Sequence, residues 1–146
     1  METLHFYEVS VNWLADRKGA LSSPVLNEVI EVATPPQFPK GMEGIWSPEH
    51  LFVAAVNSCL MTTFLSFAEN SSLHFESFSS KAIGKLEMIE GKYMIGEITL
   101  MPIVVIPEKA DEEKAKRILK KLEGNCLISN SIKSTIVFKS QVVIKP

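Results

Sequence analysis

Between Leu51 and Ala68 the chain is apolar at nearly every position, interrupted only by Asn57, Ser58, Cys59, Thr62, Thr63 and Ser66. Ser47 before this run is a good N-cap, Pro48 suits the first helical position, and Glu49 puts negative charge near the positive end of the helix dipole. Asn70-Ser71-Ser72 closes it. The pattern predicts a helix of about 22 residues, roughly 33 Å long at the usual rise per residue. Because it is apolar nearly all round, it is expected to be buried on most sides, by this chain or by a second copy.

Before the helix the pattern is that of strands. Leu4, Phe6 and Glu8 alternate with His5, Tyr7 and Val9 up to Trp13. Asp16-Arg17-Lys18-Gly19 is a turn signal, with Gly19 expected to supply any positive φ. Strand-like runs follow at 19–22 and 25–33. Residues 34–44 carry three prolines and two glycines, which predicts a long surface loop.

After the helix, residues 74–88 and 92–106 predict a hairpin turning at Glu90-Gly91. Pro102 predicts an edge or a bulge there. Asp111 to Gly124 predicts a second helix with acids first, bases last, and Ala115, Ile118, Leu119 and Leu122 on one face. Asn125 is placed to cap a short third helix running to about Lys133. Thr135 to Ile144 predicts a last strand. With no linker or repeat, the 146 residues read as one domain of the α+β class.

Composition narrows the function by exclusion. A net charge of −2 gives no reason to expect a nucleic acid or a membrane surface as partner. The lysines near 114–121 stand beside acids and read as a solvated helix face. The polar residues inside the 51–68 run argue against a membrane span. The first ten residues lack a basic start followed by an apolar run, so no signal peptide is expected and the cytoplasm is the expected compartment. His5, His50, His74 and the two cysteines match no metal-ligand spacing, and no phosphate or dinucleotide loop is present. Neither a metal nor a cofactor is therefore expected.

The chemistry left is that of two thiols, Cys59 and Cys126. Cys59 sits about three turns into the helix, beyond reach of the dipole. A cysteine in such a row is more often a small core hydrophobe, and a reactive one needs a cation from elsewhere. Cys126 is placed at the first turn of the third helix, where unpaired backbone N–H groups favour a thiolate. Local physics thus makes Cys126 the better candidate for a depressed pKa.

The stretches SPEHLFVAAVNSC and NCLISNSI resemble the OsmC/Ohr superfamily, named for osmotically inducible protein C and organic hydroperoxide resistance protein. Proline-glutamate opens the helix, a cysteine follows ten residues after that glutamate, and the second cysteine has a serine three residues on. The order of elements is similar over essentially the whole chain. The resemblance implies an OsmC-like fold over residues 1–146: β-meander, long buried central helix, β-hairpin, two further helices and a last strand, in an intertwined homodimer. It also implies a thiol peroxidase in which Cys59 attacks an organic hydroperoxide and Cys126 resolves the sulfenic acid as a disulfide. Arg17 and Glu49 would complete the site, and a dithiol or a thiol protein would regenerate it. The loop ADRKG leaves Lys18 beside Arg17 as a second candidate for the activating cation. Leu127 stands where members commonly carry proline. The alternative is a non-catalytic dimer of the same fold that binds a small apolar ligand, with both cysteines as packing residues.

Overall fold

The computed structural model describes residues 3–146. The chain divides into two compact units, one running to Leu51 and the other spanning Phe52–Pro146. In the first unit, β1 (Ser10–Ala15), β2 (Lys18–Ser22) and β3 (Ile30–Ala33) form an antiparallel meander. Ala15 pairs with Lys18, so the turn is Asp16-Arg17. Asp16, not Gly19, takes the positive φ of 49°, a conformation aspartate tolerates better than most residues. Gly19 lies inside β2 instead.

The alternating residues 3–9 form no strand. Ser10 already pairs with Ser22, the last residue of β2, so the chain before it has no neighbour with which to share hydrogen bonds. Residues 34–47 form the expected loop, pinched at its base where the Ala33 amide donates to the Trp46 carbonyl at 2.8 Å. Ser47 is fully buried, and its hydroxyl accepts the His50 amide at 3.1 Å, which caps α1 (Pro48–Asn70) as expected.

The second unit is built on the hairpin of β4 (Ser77–Ile89) and β5 (Lys92–Ile106). Glu90 and Gly91 both have positive φ, 50° and 78°, the mirror-image turn whose twist matches that of paired strands. The single last strand expected from sequence is two: β6 (Thr135–Phe138) and β7 (Gln141–Ile144). Both run parallel to β5 on the side opposite β4, β6 beside 97–100 and β7 beside 103–106. Pro102 is therefore fully buried in a central strand, not at an edge. It is tolerated because residues 101–102 fall where β5 passes from one parallel partner to the other and have none in either.

A 3₁₀ turn at Lys109–Asp111 leads into α2 (Glu112–Leu122), which buries the expected face of Ala115, Ile118, Leu119 and Leu122. These meet Val56, Leu60, Phe64 and Ala68 of α1 and the even-numbered apolar residues of β5 in one core. Phe64 is its largest member, stacked on Phe78 at 4.6 Å and edge-on to Phe75 at 5.1 Å. Gly84 lets the helix approach the hairpin, since a Cβ there would lie 2.5 Å from a Val53 methyl. By length and composition α1 could cross a membrane, but its spaced buried stripe is that of a core helix. That stripe is narrower than the sequence implies. Met61 and Leu65 are exposed, because one sheet and one helix cover only one side of an apolar cylinder.

Candidate functional site

Cys59 lies in the middle of α1, half-buried and packed against the core. Thr63, one helical turn later, is on the same face, with its hydroxyl 4.0 Å from the Cys59 sulfur. The other hydroxyls nearby behave as helical serines and threonines usually do, bonding back to the helix. Ser58 donates to Ala54 at 2.7 Å and Thr62 donates to Cys59 at 3.1 Å. Thr63 instead presents its hydroxyl to the thiol.

Cys126 reaches the same place from the other side of the core. Gly124, with φ of +104°, ends the segment after α2 and turns the chain inward. Cys126 is 1% exposed and belongs to the core cluster. Its sulfur donates to the Leu122 carbonyl at 3.5 Å. Burial pushes the Cys126 thiol above its ordinary value, a hydrogen bond with Thr63 draws it back in part, and negative charge on Cys59 pushes it up again. The two free cysteines, 67 positions apart in sequence, thus come together, with Cys59 and Thr63 both bearing on the ionisation of Cys126.

The role expected of Cys126 from local sequence is overturned. The third helix, α3, is only Leu127–Asn130, and Cys126 rather than Asn125 is its N-cap residue. The Asn125 side-chain amide donates backward to the Lys121 carbonyl at 2.6 Å. A single turn has little dipole to offer, and desolvation of a buried thiolate outweighs it. Thr63 was visible in the sequence only as an i+4 neighbour of Cys59, and that spacing gives no hint that a second sulfur would arrive beside it.

Arg17 and Glu49 belong to the first unit. Arg17 is exposed at the β1–β2 turn, and its carbonyl accepts the Thr34 amide at 3.3 Å. With Trp13, Lys18, Ala33 and Pro48 it lines an open cleft of about 630 Å³. Lys18 is engaged by Glu31 at 3.3 Å, whereas Arg17 and Glu49 form no ion pair among the described residues. One carboxylate oxygen of Glu49, in the first turn of α1, is buried without a hydrogen-bond partner. No cluster of three or more metal-ligating side chains occurs among the described residues.

Residues 41–141 match the family model described as OsmC-like protein. The chain belongs to the OsmC-like family. Within it, the chain is 24% identical over 144 residues to the uncharacterized protein YmaD of Bacillus subtilis (strain 168), covering 97% of this chain and 95% of that one. An OsmC-like protein of unknown function from Vibrio cholerae O1 has a similar structure, with a TM-score of 0.84 at 25% identity over 94% of this chain and 99% of that one. An organic hydroperoxide resistance protein from Elizabethkingia anophelis, crystallised with thiocyanate bound, shares the fold at a TM-score of 0.76 and 23% identity, over 99% of this chain and 100% of that one. The mixed α+β architecture is that of this OsmC-like group, which includes organic hydroperoxide resistance proteins.

Proposed function

We propose that this OsmC-like protein is a thiol-dependent peroxidase that reduces organic hydroperoxides to alcohols. The observation that supports it best is the pairing of two reduced cysteines around Thr63, one half-buried and one enclosed in the core. The Cys59 thiolate attacks the terminal peroxide oxygen. The O–O bond breaks, the departing alkoxide takes a proton and leaves as an alcohol, and Cys59 becomes a sulfenic acid. Cys126 then attacks the Cys59 sulfur. An S–S bond forms, the S–O bond breaks, and the hydroxide leaves as water with the Cys126 proton. An external dithiol or thiol protein returns the pair to the reduced state. The apolar packing around Cys59 favours organic hydroperoxides over hydrogen peroxide.

In this reading Arg17 is the cation that stabilises the Cys59 thiolate, and Glu49 orients its guanidinium by a charge-assisted pair. Support comes from the family resemblance, from an Arg17 side chain not held by another carboxylate, and from a buried Glu49 oxygen that lacks a partner. The working form is a homodimer in the cytoplasm. Phe6 at 90%, Tyr7 at 89% and Trp13 at 76% exposure in the first unit, and separately Met61 and Leu65 in the second, are exposed apolar side chains of the kind that a second copy covers.

Mass spectrometry of the protein treated with cumene hydroperoxide tests the function. An intramolecular disulfide is expected in the wild type, and a dimedone-trapped sulfenic acid on Cys59 is expected in Cys126→Ser. A second reading is favoured by the burial of Cys126 alone: a non-catalytic dimer that holds a small apolar ligand, with both thiols as packing. Absence of the disulfide would favour it.

A further inference from the structure

The cations of α2 divide into two sets. Lys116 is paired with Glu112 at 3.3 Å and Lys120 with Glu123 at 3.5 Å. Lys114, Arg117 and Lys121 form no ion pair among the described residues. Spaced three and then four positions apart, they share one face of the helix. With Ser71 and the buried Ile118 they line an open cleft of about 560 Å³. Like charges at these spacings destabilise a helix, and Lys114 stands in the first turn, where a cation also opposes the dipole. The helix by itself gains nothing from this arrangement, and an anionic partner reverses its sign. The face also leads to the thiols. Lys121 Nζ lies 5.9 Å from the centre of the Phe67 ring, within cation–π reach. Cys59, Thr63 and Phe67 form one row of α1 at intervals of four residues, and Ser71, whose amide donates to the Phe67 carbonyl at 3.0 Å, extends it into the cleft. Along the axis Cys59 is about 12 Å from Phe67. From the other element, Lys121 is five positions before Cys126, whose sulfur donates to the Leu122 carbonyl.

We propose that the unpaired basic face of α2 docks the acidic surface of the dithiol protein that reduces the Cys59–Cys126 disulfide. The proposal rests on the peroxidase reading and gives its reductant a place to bind. A specific interface covers about 800 Å² on each partner, a patch of roughly 16 Å radius, which is wide enough to span from the cleft to Cys59. Charge complementarity fixes the sign of the partner and speeds its encounter. In the reaction, a thiolate of the reductant attacks the sulfur of Cys59, which is half-buried where Cys126 is enclosed. An S–S bond forms between the two proteins, the Cys59–Cys126 bond breaks, and Cys126 leaves as a thiolate that takes a proton. The second thiol of the reductant then attacks its own sulfur in the mixed disulfide and releases Cys59. The reductant ends as a disulfide, and its two thiol protons end on Cys59 and Cys126.

The test compares the wild type with the triple variant Lys114→Gln/Arg117→Gln/Lys121→Gln. Both are oxidised with cumene hydroperoxide, and the rate of disulfide reduction is then followed by alkylation and mass spectrometry. Three probes serve as reductants: dithiothreitol, a dithiol peptide flanked by glutamates, and the same peptide with glutamine at those positions. The glutamate peptide is expected to reduce the wild type about tenfold faster than the variant at low salt, the lower end of electrostatic steering, and the advantage should fade at high salt. Dithiothreitol and the glutamine peptide should reduce the two proteins equally. Equal rates of the glutamate peptide on wild type and variant overturn the proposal and leave the peroxidase reading intact. So does a variant slowed equally toward all three probes, which would mean a general defect. Binding of inorganic phosphate to the wild type without a charge-dependent reduction rate would make the cleft a small-anion site instead. A variant that loses dimer mass in sedimentation would make it a contact between copies, and either result removes the proposal. If the wild type forms no disulfide with cumene hydroperoxide, the peroxidase reading falls first and takes the proposal with it.

Discussion

The Lys18 ammonium lies 3.3 Å from the Glu31 carboxylate, and that pairing separates it from the adjacent Arg17. Two cations side by side in sequence are different reagents in the fold: one is tied to a neighbouring strand and the other is not. Arg17→Met is expected to lower hydroperoxide consumption roughly a hundredfold, the usual cost of removing one electrostatic donor from a reacting centre. Lys18→Met is expected to change it little. Steady-state rates with cumene hydroperoxide check this, and the reverse ranking would transfer the role to Lys18.

The pH dependence of Cys126 follows from the causes that shift it. Burial and the charge of Cys59 raise its pKa, so in the reduced protein its thiolate should appear only above the ordinary cysteine range. Cys59→Ser removes one of the two upward influences and should move the Cys126 titration to lower pH, though not below that of a free thiol, because burial is the larger cause. The same raised value makes a stability prediction. Below the ordinary thiol pKa both folded and unfolded chains hold the proton and the group is neutral to stability. As pH rises beyond it the unfolded chain ionises first, so stability falls. Urea midpoints of the wild type and Cys126→Ala, measured from neutral to alkaline pH, should show the smaller alkaline loss in the variant.

Gly84 and Val53 make a packing prediction. With a Cβ placed 2.5 Å from a Val53 methyl, Gly84→Ala overpacks the contact between α1 and the hairpin and should cost about 1–3 kcal/mol. Val is stiff at χ1 and cannot swing away cheaply. Trimming it in Gly84→Ala/Val53→Ala should recover part of the loss, which a double-mutant cycle of urea denaturation would register as coupling.

The exposed aromatic residues of the N-terminal segment make a prediction about assembly. Sedimentation equilibrium should give twice the chain mass. Trp13→Glu, which places a charge on a side chain 76% exposed in the single chain, should shift the protein toward monomer. A wild-type monomer at micromolar concentration would rule out the dimer.

Elements with strong local periodicity were readable without the fold. The Ser47 cap, the long α1, the Glu90-Gly91 turn and the buried face of α2 follow from neighbours within one or two turns. Failures came where a distant segment decided the outcome. Residues 3–9 alternate like a strand but β2 ends before it can pair with them. Pro102 looks like an edge residue but sits between two parallel partners that no local pattern announces. Cys126 looks activated by a helix terminus, yet the core encloses it.

The two cysteines divide the same way. Sequence by itself determined that Cys59 rides on a core helix, that Cys126 follows the end of a second one, and that the motifs around both resemble the OsmC/Ohr superfamily. Only the tertiary structure decided that Cys59 and Thr63 both bear on Cys126, and that burial raises the Cys126 pKa. The reason is physical: a helix period is set by residues a few positions apart, whereas solvation and charge at a sulfur depend on whatever the completed fold brings against it.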